Sequence, residues 1–470
     1  MPGKNEKVNS MPRTVSEEGE LGQYEKGNEV KTYESKEKAF GNKKERASSD
    51  TTVFRGALMI TNLCLGVTIF TFAIRATYFG LIWFVVTGII AGFITYWSLM
   101  LCVYASSKNK EDDFSELTEK ILGKKARIFL NVIIIIYSYA VMMMYMTLTF
   151  ALLGRFIQAA GFTDKYPEYE EFENKIWNKP YIKFPVYVGL TLGLFFMCLI
   201  KDMNKLNFSS YIGVLAVIYS LCLVLVQCHD YFKDSKEKYY NKEDKNTHIN
   251  WFNIGKAFTK ELEFFKGVAA LFTANAIHTG IFPVFVGFKY QKEGLQKMKK
   301  ATIFGVLMVT SLYVLSMIIS FLTNPYKPED VIIYRKSKSE NDIPMTIAKL
   351  LVSLSIIFTY PGTYFPLRLS IANSFTEGII TTKFNIILTF LSCFLCSAVA
   401  SIYDKILNYL SYIGGFITVF MCYLIPALLY IKTSGKPITY WKNMIELILA
   451  ILLCIIGFIG GIVTIIDDVM

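Results

Sequence analysis

The sequence predicts an all-α integral membrane protein of about eleven transmembrane helices, arranged as a five-plus-five inverted repeat with one extra helix. Three observations predict it. The 470-residue chain is 53% hydrophobic with a mean hydropathy of +0.38, more apolar than soluble domains of this size. The apolar residues come in blocks: Asn131 to Gly154, Leu388 to Tyr403 and Leu447 to Ile466 contain no charged residue. A helix crossing the hydrocarbon core needs roughly 20 apolar residues, and buried soluble helices rarely run that long uninterrupted. Finally, two blocks five spans apart carry polar and glycine residues at their centres, as paired broken helices of an inverted repeat do.

Residues 1–53 are polar and of mixed charge. They lack the apolar core of a signal peptide and hold too few apolar residues to offset chain entropy, so they are expected to form a disordered cytosolic tail ahead of a membrane domain over 54–470. Hydropathy places the spans near 54–75, 78–105, 127–158, 184–200, 208–229, 262–288, 300–322, 345–372, 384–403, 406–431 and 444–466. Lys and Arg collect in short cytoplasmic loops. A cytosolic N-terminus puts Lys289, Lys292, Lys297, Lys299 and Lys300 inside, together with Lys108, Lys110, Lys124, Lys125, Arg127, Lys432, Lys436 and Lys442. The result is a multi-pass protein of a plasma membrane or a vacuole-type membrane. The same loops explain the net charge of +11 without nucleic acid, for which no basic face with stacking aromatics exists. Most of the nine cysteines, such as Cys64, Cys102, Cys198 and Cys454, lie within spans as small hydrophobes. Cys393 and Cys396 form a C-x-x-C inside an apolar helix and are expected to be lipid-facing or packed rather than a redox pair.

The interruption of span one is Leu65-Gly66-Val67-Thr68, and that of span six is Thr273 to Gly280, followed by Pro283. Non-helical backbone at membrane depth survives where it lines a cavity or is buried in protein. Ordinary small-residue packing is the plainer reading, and it is weaker for span six, whose eight residues include Asn275, His278, two Thr and Gly280. The stretch Leu271 to Lys289 resembles a signature of the amino acid/auxin permease family, in which aromatic residues and a histidine precede a V/I-F-P triplet (here Ile281-Phe282-Pro283) and then a cationic loop (here Gln296-Lys297-Met298-Lys299-Lys300). Thr359-Tyr360-Pro361-Gly362-Thr363-Tyr364-Phe365-Pro366-Leu367-Arg368 in span eight and Leu424-Ile425-Pro426-Ala427-Leu428-Leu429-Tyr430 in span ten are similar to further motifs of that family. Asn62, Gly66 and Gly80 fit its opening, while Thr68, Ala73 and Arg75 depart from it. The resemblance covers roughly 54–466 and implies eleven helices, the first ten an inverted repeat, with alternating access around a midplane site.

On this reading the chain is a secondary active transporter of amino acids, neutral or apolar with cationic ones not excluded, working by symport with a proton or sodium ion. The substrate-binding candidates are Asn62, Leu65, Gly66, Val67, Thr68, Phe272, Thr273, Ala274, Asn275 and His278. Free N–H groups after Gly66 would meet the substrate carboxylate, and unwound carbonyls over 62–65 and 272–274 its ammonium. Asn62 and Thr359 are candidates for the coupling cation, because hard cations take oxygen ligands; interhelical hydrogen bonding is the plainer role. His278 either carries a proton or locks the broken turn, the latter being preferred. Arg75 either snorkels at the outer end of span one or meets a carboxylate, and the interfacial reading is preferred. Arg368 is expected to be structural, and Lys266 and Lys349 to lie near the outer surface. Pro283, Pro361 and Pro366 shape their helices, since proline removes a backbone donor. No catalytic constellation is present: His229, His248 and His278 fit no zinc-hydrolase pattern, and no cofactor or metal is expected beyond a candidate sodium ion. The expected partners are the amino acid, the coupling ion and the bilayer, with a monomeric transport unit. An amino-acid sensor with little flux and a carrier of another small organic solute are the alternatives; organic cations would call for acidic residues inside the spans, and Asp404 stands only near a span end.

Overall fold

A computed structural model describes residues 51–65, 67–72, 75–76, 80–162, 164–166, 168–200, 207–239, 249, 263–289, 291–326, 331–335, 342–376, 380–403, 409 and 411–469. The expected tail at 1–53 lies outside these residues except for its last three. Among the described residues ten helices are long and apolar enough to cross a membrane, and a shorter apolar helix precedes them. The α-helices of nine or more residues are, in chain order, α1 (Val53–Cys64), α2 (Leu81–Asn109), α3 (Phe114–Leu122), α4 (Lys124–Gly161), α5 (Pro180–Cys198), α6 (Asn207–Tyr239), α7 (Glu263–Ala274), α8 (His278–Lys289), α9 (Gly294–Thr323), α10 (Ile343–Phe375), α11 (Thr382–Ile402), α12 (Ile425–Ser434) and α13 (Trp441–Val469). A single span is formed by α7 and α8 together. Two π-helical stretches, Ile413–Thr418 and Phe420–Leu424, run into α12.

Span one is shorter as a regular helix than hydropathy suggests. Its α-helix stops at Cys64, where the Leu65 N–H reaches back to the Thr61 carbonyl at 2.9 Å, and a 3₁₀ turn, Val67–Thr71, follows. Short α3 was not foreseen. Asp113 caps it: one carboxylate oxygen accepts from the N–H groups of Ser115 (2.8 Å) and Glu116 (3.0 Å), the preferred role of Asp before a first turn. Gly123 ends it at φ +91°, left-handed backbone that glycine adopts without a Cβ clash. By contrast, Pro361 and Pro366 do not break α10, which is continuous over 33 residues; each omits one i→i−4 bond within it.

Burial decides which helices surround the centre. In the most apolar window of α7–α8, 83% of residues are buried, against 22% for α5. With lipid as apolar as the side chains, close packing rather than hydrophobicity joins such helices. Spans six, ten and eleven meet through glycine: a Cβ on Gly414 would stand 1.7 Å from the Ala269 carbonyl oxygen, and one on Gly460 2.2 Å from that of Phe265. Cys393 and Cys396 are wholly buried in packed protein.

Arg75 sits differently from the sequence expectation. It is buried, not interfacial, and its Nη1 donates to the Ser411 hydroxyl at 3.2 Å, tying the far half of span one to span ten. Lys266 and Lys349, expected near the outer surface, are buried among neighbouring groups as well. For Arg75 the reason is that span ten covers the position, which a linear hydropathy profile does not register. Arg368 is buried and donates to the Asn385 side-chain oxygen at 3.2 Å, in keeping with a structural role.

Candidate functional site

Both interrupted spans break where the sequence places the breaks, and the fold brings the breaks together. At the end of α7 the Asn275 backbone N–H bonds the Leu271 carbonyl at 3.2 Å and the side-chain amide bonds the same oxygen at 2.9 Å. A short polar side chain thus competes with the next helical bond, and α8 restarts at His278. The Tyr313 hydroxyl of α9 stands 2.6 Å from the Cys64 carbonyl of span one and 2.8 Å from the Ala274 carbonyl of span six. One phenolic proton serves two orphan helix-end carbonyls. Two neighbouring bonds hold the same region: Ser316 donates to the Ile69 carbonyl at 2.6 Å, and Tyr137 of α4 donates to the Ala276 carbonyl at 3.1 Å.

His278 opens α8, and its Nε2 is 3.0 Å from the Ser98 hydroxyl. Ser98 in turn donates to the Cys422 carbonyl. A hydroxyl has one proton, so Nε2 must be the donor to Ser98, and Nδ1, which is buried without a hydrogen-bond partner, is left as a bare acceptor. This chain of bonds ties the restart of span six to spans two and ten, the geometry of a lock.

Beside the breaks lies a narrow cavity lined by Leu65, Phe70, Tyr145, Val217, Val352, Ser355, Ile356 and Thr359, with about 10 Å³ of space for the centre of a water-sized guest. That is room for about one water. On its wall, span five carries Gly213, and a Cβ there would lie 3.2 Å from the Ser355 hydroxyl and 3.5 Å from the Asn62 side-chain oxygen. One turn on from Ser355, Thr359 donates to the Ser355 carbonyl at 2.7 Å, and its oxygen keeps lone pairs for a further partner. Spans one and eight therefore bring Asn62, Ser355 and Thr359 oxygens to one place, with span five approaching closely because Gly213 has no side chain.

The predicted residues divide as follows. Leu65 and Thr359 line the cavity, and Asn62 lies outside its lining, against span five at Gly213. Gly66 falls outside the described residues, and Val67 opens the 3₁₀ turn. Thr68 is buried beside Tyr313. Phe272, Thr273, Ala274 and Asn275 are buried at the end of α7; Phe272 packs edge-on against Tyr423, ring centroids 5.0 Å apart, and none of these four lines the cavity. Pro283 lies inside α8, Pro361 and Pro366 inside α10. Phe70, Tyr145, Val217, Ser355 and Tyr313 were missed, for they carry no local signal: each is one apolar or hydroxyl residue in a helix full of them. At the far end of span six, Lys289 pairs with Asp112 from the turn before α3, and Phe282 stacks on Phe114 with centroids 5.0 Å apart.

The chain is 24% identical over 201 residues to sodium-coupled neutral amino acid transporter 4 of Pongo abelii, a match covering 42% of this chain and 36% of that one. It is 24% identical over 207 residues to the human protein of the same name, covering 43% and 37%. The chain spans a little over a third of the length of these relatives. A family model described as transmembrane amino acid transporter protein matches residues 49–467. With this match over nearly all of the described helices, the chain belongs to the transmembrane amino acid transporter family.

Proposed function

We propose that this chain carries neutral amino acids across a membrane by alternating access, in symport with sodium. The observation that carries the reading is the meeting of two broken spans at Tyr313, beside a narrow cavity with clustered oxygens on its wall. Helix-end carbonyls at Cys64 and Ala274 are acceptors for an ammonium group, each having a second lone pair beyond the Tyr313 bond. The N–H groups that open the turn after Gly66 face the other way along the chain and suit a carboxylate. Asn62, Ser355 and Thr359 supply neutral oxygens of the type that hard cations take, and the named relatives, which are sodium-coupled by their titles, favour sodium over the proton. The cavity holds about one water, so an amino acid requires the surrounding helices to part, which is what alternating access provides. The orientation with a cytosolic N-terminus, a plasma or vacuole-type membrane and a monomeric transport unit complete the proposal.

The test is uptake of a panel of radiolabelled amino acids into proteoliposomes under an imposed sodium or proton gradient. Accumulation of neutral amino acids driven by sodium is the expected result. Accumulation driven only by protons would replace the ion, and saturable binding with no accumulation under either gradient would favour the sensor reading. For the cation site, Thr359→Ala is expected to raise the half-saturating sodium concentration several-fold, since it removes one of few ligands, with unchanged protein yield; an unchanged sodium dependence would remove Thr359 from the site.

A further inference from the structure

Beyond the cavity, on the face opposite the Lys289-to-Lys300 loop, three buried or half-buried cations converge with no carboxylate bonded to any of them among the described residues. Arg155 ends α4, Arg335 follows the 3₁₀ turn Ile332–Tyr334, and Lys349 stands two turns into α10. The Arg155 guanidinium lies between the rings of Tyr169 and Tyr334, 3.9 and 4.0 Å from their centroids, and donates to the Tyr334 carbonyl at 3.2 Å. The Arg335 guanidinium lies 3.8 Å from the centroid of Tyr231 and donates through Nη2 to the Gln227 side-chain oxygen at 2.7 Å. Lys349 sits in the field of both arginines and of Asp342. Arg335 is 4% exposed and Lys349 3%.

The donors of this cluster are not used up. Arg335 Nε and Nη1 and Arg155 Nε are buried with no hydrogen-bond partner. Leaving charged donors unmet in a protein interior is costly. Asp342, the carboxylate closest to the centre, is turned to Gln227 and to the N–H of Met345 at the start of α10, and Glu173 stands on the flank beside Tyr169. Among the described residues, Asp342 is the carboxylate whose charge reaches Arg335 and Lys349, and no bond joins it to either. Tyrosine rings cover guanidinium faces, but guanidinium N–H bonds lie in the plane, so the unused donors point past the rings. Lys349 is one helical turn from Val352, which lines the cavity, and residues three apart share a helix face.

We infer that Arg155, Arg335 and Lys349 form a site for one monovalent anion, a halide or the carboxylate of a small organic acid, at the end of the substrate cavity remote from the lysine-rich loop. An anion there accepts from Arg335 Nε and Nη1. Where its carboxylate source is the transported amino acid, the site is the first stop before the cavity; that arm alone rests on the transport reading.

The experiment is thermal unfolding of the purified full chain in detergent, followed by intrinsic fluorescence. At constant ionic strength, bulky gluconate is replaced stepwise by chloride or by formate, and a neutral amino acid, a zwitterion without net charge, is added to the unchanged gluconate buffer. A ligand that binds the folded chain stabilises it by RT ln(1 + L/Kd), L being its free concentration, so a rise of roughly 1–3 °C that grows with the logarithm of ligand concentration is expected for a chain this large. A rise with chloride and formate alike identifies a general small-anion site; a rise with formate and amino acid but not chloride identifies a carboxylate site. Arg335→Gln and Lys349→Met are each expected to abolish the response, and the second stands in if the first fails to fold. Identical midpoints in all anions for the wild-type chain overturn the inference, as does a full response in both variants. Anion response without uptake in proteoliposomes sinks only the transport reading; uptake without anion response sinks only this site.

Discussion

Replacing Tyr313 by Phe removes one hydroxyl and leaves the ring, so it isolates the bond that joins the two helix breaks. The Phe ring keeps the edge-on contact with Phe72, whose centroid is 5.1 Å away. What is lost is the single donor shared by the Cys64 and Ala274 carbonyls, at 2.6 and 2.8 Å. Depriving a buried carbonyl of its donor costs about 1–3 kcal/mol, while hydrogen bonds between membrane helices average about 0.6 and reach about 1.7 kcal/mol. The ranges overlap near 1–1.7 kcal/mol. For a chain of this length that is a fall in melting midpoint of roughly 1–3 °C. If the bond sets the geometry of the substrate site, the same energy lowers uptake efficiency about 5- to 15-fold, since 1.4 kcal/mol is tenfold. Thermal unfolding and initial-rate uptake in proteoliposomes measure the two effects. Tyr313→Ala separates the hydroxyl from the ring, because it adds a cavity worth about 3–5 kcal/mol. A Phe variant equal to wild type in both assays would refute the bridging role, and one as damaged as Ala would assign the whole effect to the hydroxyl and none to the ring.

Other outcomes follow from particular contacts. Gly414→Leu puts a Cβ into the Ala269 carbonyl, a backbone atom that cannot swing away, so loss of folded protein in size-exclusion chromatography is expected; Gly362→Ala, where a Cβ meets nothing within 4 Å, should keep or raise the melting midpoint, by about 0.4–1 kcal/mol. A double-mutant cycle on Lys289→Met and Asp112→Asn, a partly buried pair, is expected to return a coupling of about 1 kcal/mol that shrinks little with salt, and additivity would show that the pair does not tie span six to the turn before α3. Burial raises the Asp113 carboxyl above the usual carboxylate range, against the opposing pull of its cap bonds and Arg127. Such a group binds its proton more tightly in the folded chain, so its contribution is most favourable at low pH and declines as pH rises through the unfolded and then the folded value. Asp113→Asn, which keeps the cap acceptor, should therefore lose this low-pH contribution, so its melting midpoint falls relative to wild type as pH is lowered through the carboxylate range and matches or exceeds it at neutral pH, while Asp113→Ala loses about 1 kcal/mol; a difference between the Asn variant and wild type that does not change with pH would contradict this.

Span positions were legible because the bilayer requires a long uncharged run, and such a run is local in sequence. The breaks were legible for the same reason: Gly66 and the Thr273-to-Gly280 segment stand out against their own neighbours. Helix α3 was not, since nine residues with a modest apolar face are decided by the Asp113 and Gly123 caps and by packing on α4. The interfacial expectation for Arg75 went wrong because hydropathy records what a residue is, not which helix covers it.

By itself the sequence determined the class of fold, the number and approximate limits of its spans and the two places where helices must break, since each follows from how a residue type behaves in hydrocarbon. Only the tertiary structure decided that Tyr313 joins both breaks, that Ser355 and Gly213 bring oxygens to Asn62 and Thr359, and that Arg155, Arg335 and Lys349 meet. The Tyr313 bond to Cys64 alone links residues 249 positions apart. Hydrogen bonds and charges act over a few ångströms of space, and nothing in a linear pattern states which distant residues will share that space.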